Sequence, residues 1–233
     1  MRSALPLVMC LPILVLACGG DAVAPVSPSA PAPSPPIAPV TPTVTVSGQV
    51  TSPVGSPIAA PRVVVYPLRL WGPWYGPWGR GSDADNAGRY RITNAPQDPG
   101  TIFVRAWKDG YVQQCAKIVT LATDTNADLT LTRKEDVVIT ALPTSAATRQ
   151  ISGTVYTLRN NVRAPVAGAW VGWEPLLDTV IADTITDSQG RYRLCELPID
   201  RVDSLFAERM GNYSPVYGET AAGGDAVVDF ELP

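Results

Sequence analysis

The 233-residue chain repeats itself, and that repetition limits the folds open to it more than any other feature. Val46-Ser47-Gly48-Gln49-Val50 returns as Ile151-Ser152-Gly153-Thr154-Val155. Ser56-Pro57-Ile58-Ala59-Ala60-Pro61-Arg62-Val63 returns more loosely as Ala164-Pro165-Val166-Ala167-Gly168-Ala169-Trp170-Val171. Asp85-Asn86-Ala87-Gly88-Arg89-Tyr90-Arg91-Ile92 returns as Asp187-Ser188-Gln189-Gly190-Arg191-Tyr192-Arg193-Leu194, and Lys108-Asp109-Gly110-Tyr111 corresponds to Met210-Gly211-Asn212-Tyr213. Each copy closes on an alternating segment, Ala127 to Leu131 and Val227 to Leu232. Blocks matched in one order mark two copies of a single folding unit.

The copies read as strands. Arg89-Tyr90-Arg91-Ile92-Thr93 alternates polar and apolar residues, as a half-buried strand must. The Asp-x-x-Gly ahead of it is turn chemistry: Asp bonds nearby backbone and Gly takes positive φ. Val63 to Tyr66 and Thr101 to Val104 are short β-branched or aromatic runs between Pro and Gly punctuation. No long stretch carries a 3.6-residue apolar period. An all-β chain of two tandem small antiparallel sandwiches, about seven strands each, is the expected fold. Trp170 and Trp173 sit three apart in a predicted strand and so face opposite sides, one of them toward the core.

What precedes the repeats is different in kind. Arg2 is followed by an uncharged apolar run from Ala4 to Ala17, the layout of a secretory signal. Leu14-Val15-Leu16-Ala17-Cys18 resembles the lipobox of bacterial lipoproteins, which implies cleavage before Cys18 and acyl chains on that residue. More than one chain is what stable anchoring requires. An ordinary cleaved signal and an uncleaved anchor are the other uses of such a run. Residues 22–44 then hold eight prolines and no charge. That composition cannot build a core and is expected to be a disordered, extended spacer, reaching on the order of 70 Å at ~3.1 Å per residue. The expected division is signal peptide 1–17, lipidated linker 18–44, first repeat 45–132, linker 133–148 and second repeat 149–233. The second linker either adds a strand at Val137 to Ala141 or simply connects.

The order Ser-Gly-x-Val, Pro-[Ile/Val]-Ala, Asp-x-x-Gly-x-Tyr, Gly-x-Tyr resembles carboxypeptidase regulatory-like domains, over about 46–132 and 149–233. Those belong to the transthyretin-like (prealbumin-like) sandwiches, a group whose wider fold class includes starch-binding modules. The resemblance implies a fold and an accessory role outside the cytoplasm, not an active site. An exported protein, lipid-anchored to a bacterial membrane and to the outer membrane in particular, is the corresponding location.

The chemistry open to the chain is narrow. It contains no histidine, which removes Ser-His-Asp and Cys-His catalysis and the usual zinc sites. A net charge of −3 gives no footprint for nucleic acid, and no motif calls for a cofactor or metal. Asp83 with Asp85, Asp183 with Asp187 and Glu196 with Asp200 are the nearest carboxylate pairs, each read as turn residues or solvated strand ends. Cys115 and Cys195 fall in different copies at non-equivalent positions, so two separate buried thiols are the simpler expectation. Pairing in an oxidising compartment stays open.

One segment has no counterpart in the second copy: Leu70-Trp71-Gly72-Pro73-Trp74-Tyr75-Gly76-Pro77-Trp78-Gly79-Arg80-Gly81. Gly and Pro alternate too tightly for a helix or a regular strand, so a loop is expected. Trp71, Trp74, Tyr75 and Trp78, with Arg80, form the candidate binding site. Stiffly held aromatic rings suit clamping a partner peptide or stacking on sugars, and Arg80 adds a hydrogen-bonding or cation–π contact. The other placement folds the rings over the sandwich or into the junction between copies. The function expected is a non-catalytic envelope module that docks a protein partner. A carbohydrate-binding lipoprotein and a purely structural spacer are the alternatives.

Overall fold

The computed structural model describes residues 43–67, 80–96, 100–140, 145–175, 179–211 and 214–233. The signal peptide, Cys18 and the Pro-rich segment up to residue 42 lie outside the described residues. The described residues form one compact unit. Among the described residues no helix is long and apolar enough to cross a membrane.

The described fold is β throughout, apart from one 3-10 turn at Lys134–Asp136. The first repeat contains β1 (Thr43–Thr51), β2 (Arg62–Pro67), β3 (Arg80–Asp83), β4 (Arg89–Pro96), β5 (Thr101–Trp107), β6 (Tyr111–Val112), β7 (Lys117–Thr120), β8 (Thr125–Asn126), β9 (Leu129–Thr130) and β10 (Thr132–Arg133). One layer is β4-β1-β8, with β9 also on β1; the other is β3-β2-β5-β7. Counting the interrupted β8/β9 once gives seven strands, with β6 and β10 as a small extra ladder. The second repeat follows the same plan with β11 (Thr148–Arg159), β12 (Val162–Pro165), β13 (Ala169–Trp173), β14 (Ala182–Ile185), β15 (Arg191–Pro198), β16 (Asp203–Arg209), β17 (Val216–Thr220), β18 (Ala226–Val227) and β19 (Phe230–Glu231). Its layers are β12-β11-β15, with β18 and β19 on β11, and β14-β13-β16-β17. Residues 137–140 add no strand.

Alternation puts Tyr90 and Ile92 of β4 inside and Arg89 and Arg91 outside, the period-2 pattern of a sheet with one wet face. Pairing is antiparallel except at the end of each copy. There β8 and β9 run parallel to β1, and β18 and β19 parallel to β11. Aspartates fill the gaps in this broken pairing. The amides of Thr45 and Gln49 donate to Asp124 and Asp128, and those of Gln150 and Thr154 to Asp225 and Asp229.

The repeated motif has a physical reason. The Tyr90 hydroxyl donates to the Ala127 carbonyl, and Tyr192 does the same to Val228 at 2.7 Å. A Cβ on Gly48 or Gly153 would run into those same carbonyls. The Gly of Ser-Gly-x-Val and the Tyr of Asp-x-x-Gly-x-Tyr therefore meet at one point, where the closing segment crosses the first strand. Burial first, then the charge of Asp229, holds the Tyr192 hydroxyl well above its ordinary pKa, so it remains a donor. The Asp-x-x-Gly turn is equally determined. Asp187 Oδ1 accepts the amides of Gln189 and Arg191, both at 2.9 Å. Gly190 takes φ 71°, and its carbonyl receives the Val155 amide at 2.7 Å. Asp85 does the same for Ala87 and Arg89.

The two cores are not alike. In the second, Arg149 is 1% and Asp203 0% exposed, paired at 2.6 Å, with the Trp173 indole N–H donating to Asp203 at 2.7 Å. Burial pushes the Asp203 carboxyl up, against the pull of Arg149 and Trp173. Strand register puts Val44, Ile102 and Val65 at the matching places of the first repeat, all apolar and buried. Trp173 is core and Trp170 lies on the opposite face of β13.

Two outcomes test this account by urea unfolding. Tyr192→Phe, which strands the Val228 carbonyl, is expected to cost about 1–3 kcal/mol, and Gly153→Ala at least as much through overpacking; a neutral Tyr192→Phe would refute the tie. Burial tends to raise the Asp187 carboxyl, but the Arg191 and Gln189 donors and the Arg191 guanidinium outweigh it and the net shift is downward. Its contribution is therefore present above the ordinary carboxylate pKa and lost as pH falls through the lowered value. Asp187→Ala should flatten that acid limb of the stability profile.

Candidate binding surfaces around the junction

The aromatic segment springs from the β2–β3 hairpin, between Pro67 and Arg80. Trp71, Trp74, Tyr75 and Trp78 lie outside the described residues. Arg80 is exposed, opens β3 opposite Val65, and with Arg91 and Thr93 borders a small polar hollow of about 340 Å³. The sheet that carries the hairpin is the one joined to the second repeat.

That joint is built from residues the sequence did not single out as a group. The segment after β6 runs alongside the second repeat. Gln113 and Asp183 are joined twice, by the Asp183 N–H donating to the Gln113 carbonyl at 2.9 Å and the Gln113 N–H donating to the Asp183 side-chain Oδ1 at 3.0 Å. Cys195 N–H then donates to Gln114 O and Ala116 N–H to Cys195 O. Cys115 and Cys195 form a disulfide across this contact, 80 residues apart in sequence. The expectation of two separate thiols is thus corrected: the cysteines occupy non-equivalent positions because they tie one copy to the other.

Asp183 also departs from its expected role as a solvated strand end. It is 6% exposed and collects the Trp170 indole N–H at 3.0 Å and the Arg105 guanidinium at 3.4 Å. Arg105 further donates to the Val180 carbonyl. Its register equivalent in the first repeat is Gly81, so the carboxylate belongs to the junction and not to the shared fold. Asp83 stays on the surface in an exposed pair with Arg62. Glu196 is half-buried in β15 with φ 56°.

Apolar packing completes the joint. Phe103 points from the outer face of the first repeat into the core of the second, edge-on to Trp173 at 5.4 Å. Ala116 joins it there, with Tyr66 and Ile118 packed against the same core. The Arg201 guanidinium lies 5.9 Å from the Phe103 ring centroid. Hydrophobic periodicity cannot reveal this, because Phe103 is simply one more apolar residue on a strand already buried on its other face.

Two open hollows flank the crossing segment. One, of about 950 Å³, is bordered by the exposed Val54 and Val138 and by Glu196, over Gln114. The other, of about 940 Å³, opens between the outer faces of the two repeats around Tyr66, Trp107, Trp170 and Met210.

The joint predicts its own failure modes. Asp183→Ala, which leaves Arg105 without its carboxylate, should cost about 3–5 kcal/mol. Phe103→Ala should cost a similar amount through the cavity it leaves. Reducing the disulfide should lower stability by about 4–5 kcal/mol on loop-entropy grounds. All three are read from chemical denaturation, and an unchanged midpoint in reductant would deny the disulfide its structural role.

No family model matches the chain, and no curated protein matches it. Among solved structures it is similar to the Bacillus anthracis TIE protein at 9% identity and TM-score 0.31, covering 82% of this chain and 34% of that one. A streptococcal ancillary pilin gives 14% identity and TM-score 0.30, with 82% and 62% covered. A DUF3823 family protein from Parabacteroides merdae gives 11% identity and TM-score 0.31, with 78% and 99% covered. The chain thus spans less than two thirds of the first two. At this level of similarity no site, ligand or activity passes from those proteins to this one.

Proposed function

We propose that this protein is an exported, lipid-anchored, non-catalytic accessory module of a bacterial envelope, which docks a protein partner through the loop carrying Trp71, Trp74, Tyr75 and Trp78. The observation that carries the reading is the joint between the repeats. The β2–β3 hairpin at the root of the loop belongs to a sheet held by Phe103, the Arg105–Asp183 pair and the Cys115–Cys195 disulfide. A contact element on an immobilised scaffold loses less freedom on binding, which favours affinity. Aromatic anchors are the side chains that dominate such contacts.

Other features support the non-catalytic and exported parts. The chain has no histidine, and Asp85, Asp187 and Asp183 are engaged in turns and in the joint. A disulfide between half-buried Cys115 and buried Cys195 suits an oxidising compartment, where the lipobox-like Leu14-Val15-Leu16-Ala17-Cys18 would deliver the chain. On this reading Cys18 carries the lipid and the Pro-rich linker sets the distance from the membrane, with the outer membrane as the site of attachment.

Two measurements test the reading. Affinity capture from the native envelope should recover a defined partner that is lost when residues 71–79 are replaced by a short Gly-Ser link; recovery unaffected by the replacement would overturn this segment as the contact, and no recovery at all would leave only a spacer. Cys18→Ser should release the protein from the membrane fraction, and blocking the lipoprotein signal peptidase should make the precursor accumulate. Normal maturation under that block would overturn the anchor.

A further inference from the structure

The hollow between the repeats has the chemistry of a ligand site, and its described lining residues lie outside the aromatic segment. Its walls are the outer faces of two sheets, β2 and β5 on one side and β13 and β16 on the other. They part at the Arg105–Asp183 pair. The far end of the same face is closed by Phe103 against Trp173. The opening is therefore set by the joint, and its volume of about 940 Å³ falls within the range of small-ligand clefts.

Four rings stand in the apolar part of the lining, beside Val64, Val180 and Met210. Trp107 is 59% exposed at the end of β5. Trp170 lines the same hollow, with its plane fixed twice: its N–H is held by Asp183 at 3.0 Å, and its ring meets Phe206 edge-on at 4.8 Å. Tyr66 and Tyr111 add two more rings. An exposed indole sharing a hollow with a second, immobilised one is an expensive surface to leave in water without a partner.

The polar part of the lining is mixed and nearly balanced. Arg62, Arg105, Lys108 and Lys134 stand against Asp109, Asp183 and Glu208, a formal sum of 4 − 3 = +1. Arg105 and Asp183 neutralise each other, which leaves donors and acceptors on both sides. A strongly anionic ligand would meet Asp109 and Glu208, and a purely apolar one would strand the charged rim. A sugar meets both demands. Its C–H faces stack on aromatic planes, and each hydroxyl both donates and accepts.

Backbone geometry separates this ligand from an extended peptide. β2 lies between β3 and β5, β5 between β2 and β7, β13 between β14 and β16, and β16 between β13 and β17. Their backbone groups face neighbouring strands, so the walls offer side chains but no open sheet edge for strand addition. We propose that this inter-repeat cleft binds an oligosaccharide, stacked between Trp107 and Trp170 and hydrogen-bonded by Arg62 and Glu208.

The test is a titration of the purified full chain with cello-, xylo-, malto- and chito-hexaose, followed by tryptophan fluorescence and calorimetry. At least one is expected to bind. Trp107→Ala, an exposed substitution that leaves the fold intact, should weaken that binding at least tenfold, and Glu208→Ala by several fold. Replacing residues 71–79 should leave it unchanged, which keeps this site separate from the partner contact. Silence across the whole panel overturns the proposal. So does binding that survives Trp107→Ala, or binding lost only with residues 71–79. A proline-rich or basic decapeptide that binds the cleft when no saccharide does overturns it as well.

Discussion

The molecule depends on one buried contact between its two halves. Phe103 leaves the first sandwich to complete the core of the second, and Asp183 leaves the second to receive Arg105 from the first. Neither side can withdraw cheaply: one would open an apolar cavity, the other would bury an unpaired charge. The crossing segment from Gln113 to Ala116 adds backbone hydrogen bonds to β14 and to Cys195, and the disulfide fastens it covalently. Two copies of one folding plan are thus mutually dependent. Both the scaffold of the aromatic loop and the cleft between the repeats follow from that dependence.

The shared fold was legible because its motif residues act locally. Asp85 and Asp187 bond the amides two and four residues ahead of them. The Gly48–Tyr90 and Gly153–Tyr192 partnerships are one crossing built twice. Such residues keep their meaning in any copy, so repetition exposes them. The joint was not legible for the opposite reason. It needs two different copies, so its residues break the repeat: Asp183 stands where the first copy has Gly81, and Cys195 where it has Thr93. Departures from the repeat were the signal: the aromatic segment and the non-equivalent cysteines stood out, while the single exchange at Asp183 did not.

The cores show a second kind of divergence. Arg149, Asp203 and Trp173 form a fully enclosed polar group where the first copy has Val44, Ile102 and Val65. A buried pair of this kind gains little over apolar packing. Arg149 also donates to the carbonyls of Ala221 and Arg201, so the group ties the loops at one end of the second sandwich to its first strand. The apolar set in the first copy has no such reach.

The parallel run of the closing segments bears on how the sandwiches would carry tension. In each repeat the strand by which the chain enters, β1 or β11, lies beside the segment by which it leaves, and both point the same way. A pull applied through entry and exit then slides the two strands lengthwise. Their hydrogen bonds, together with the Asp124, Asp128, Asp225 and Asp229 side-chain ties, are loaded together instead of opening one after another from an end. Each sandwich is thereby a shear clamp, suited to a protein held at one end and drawn upon at the other.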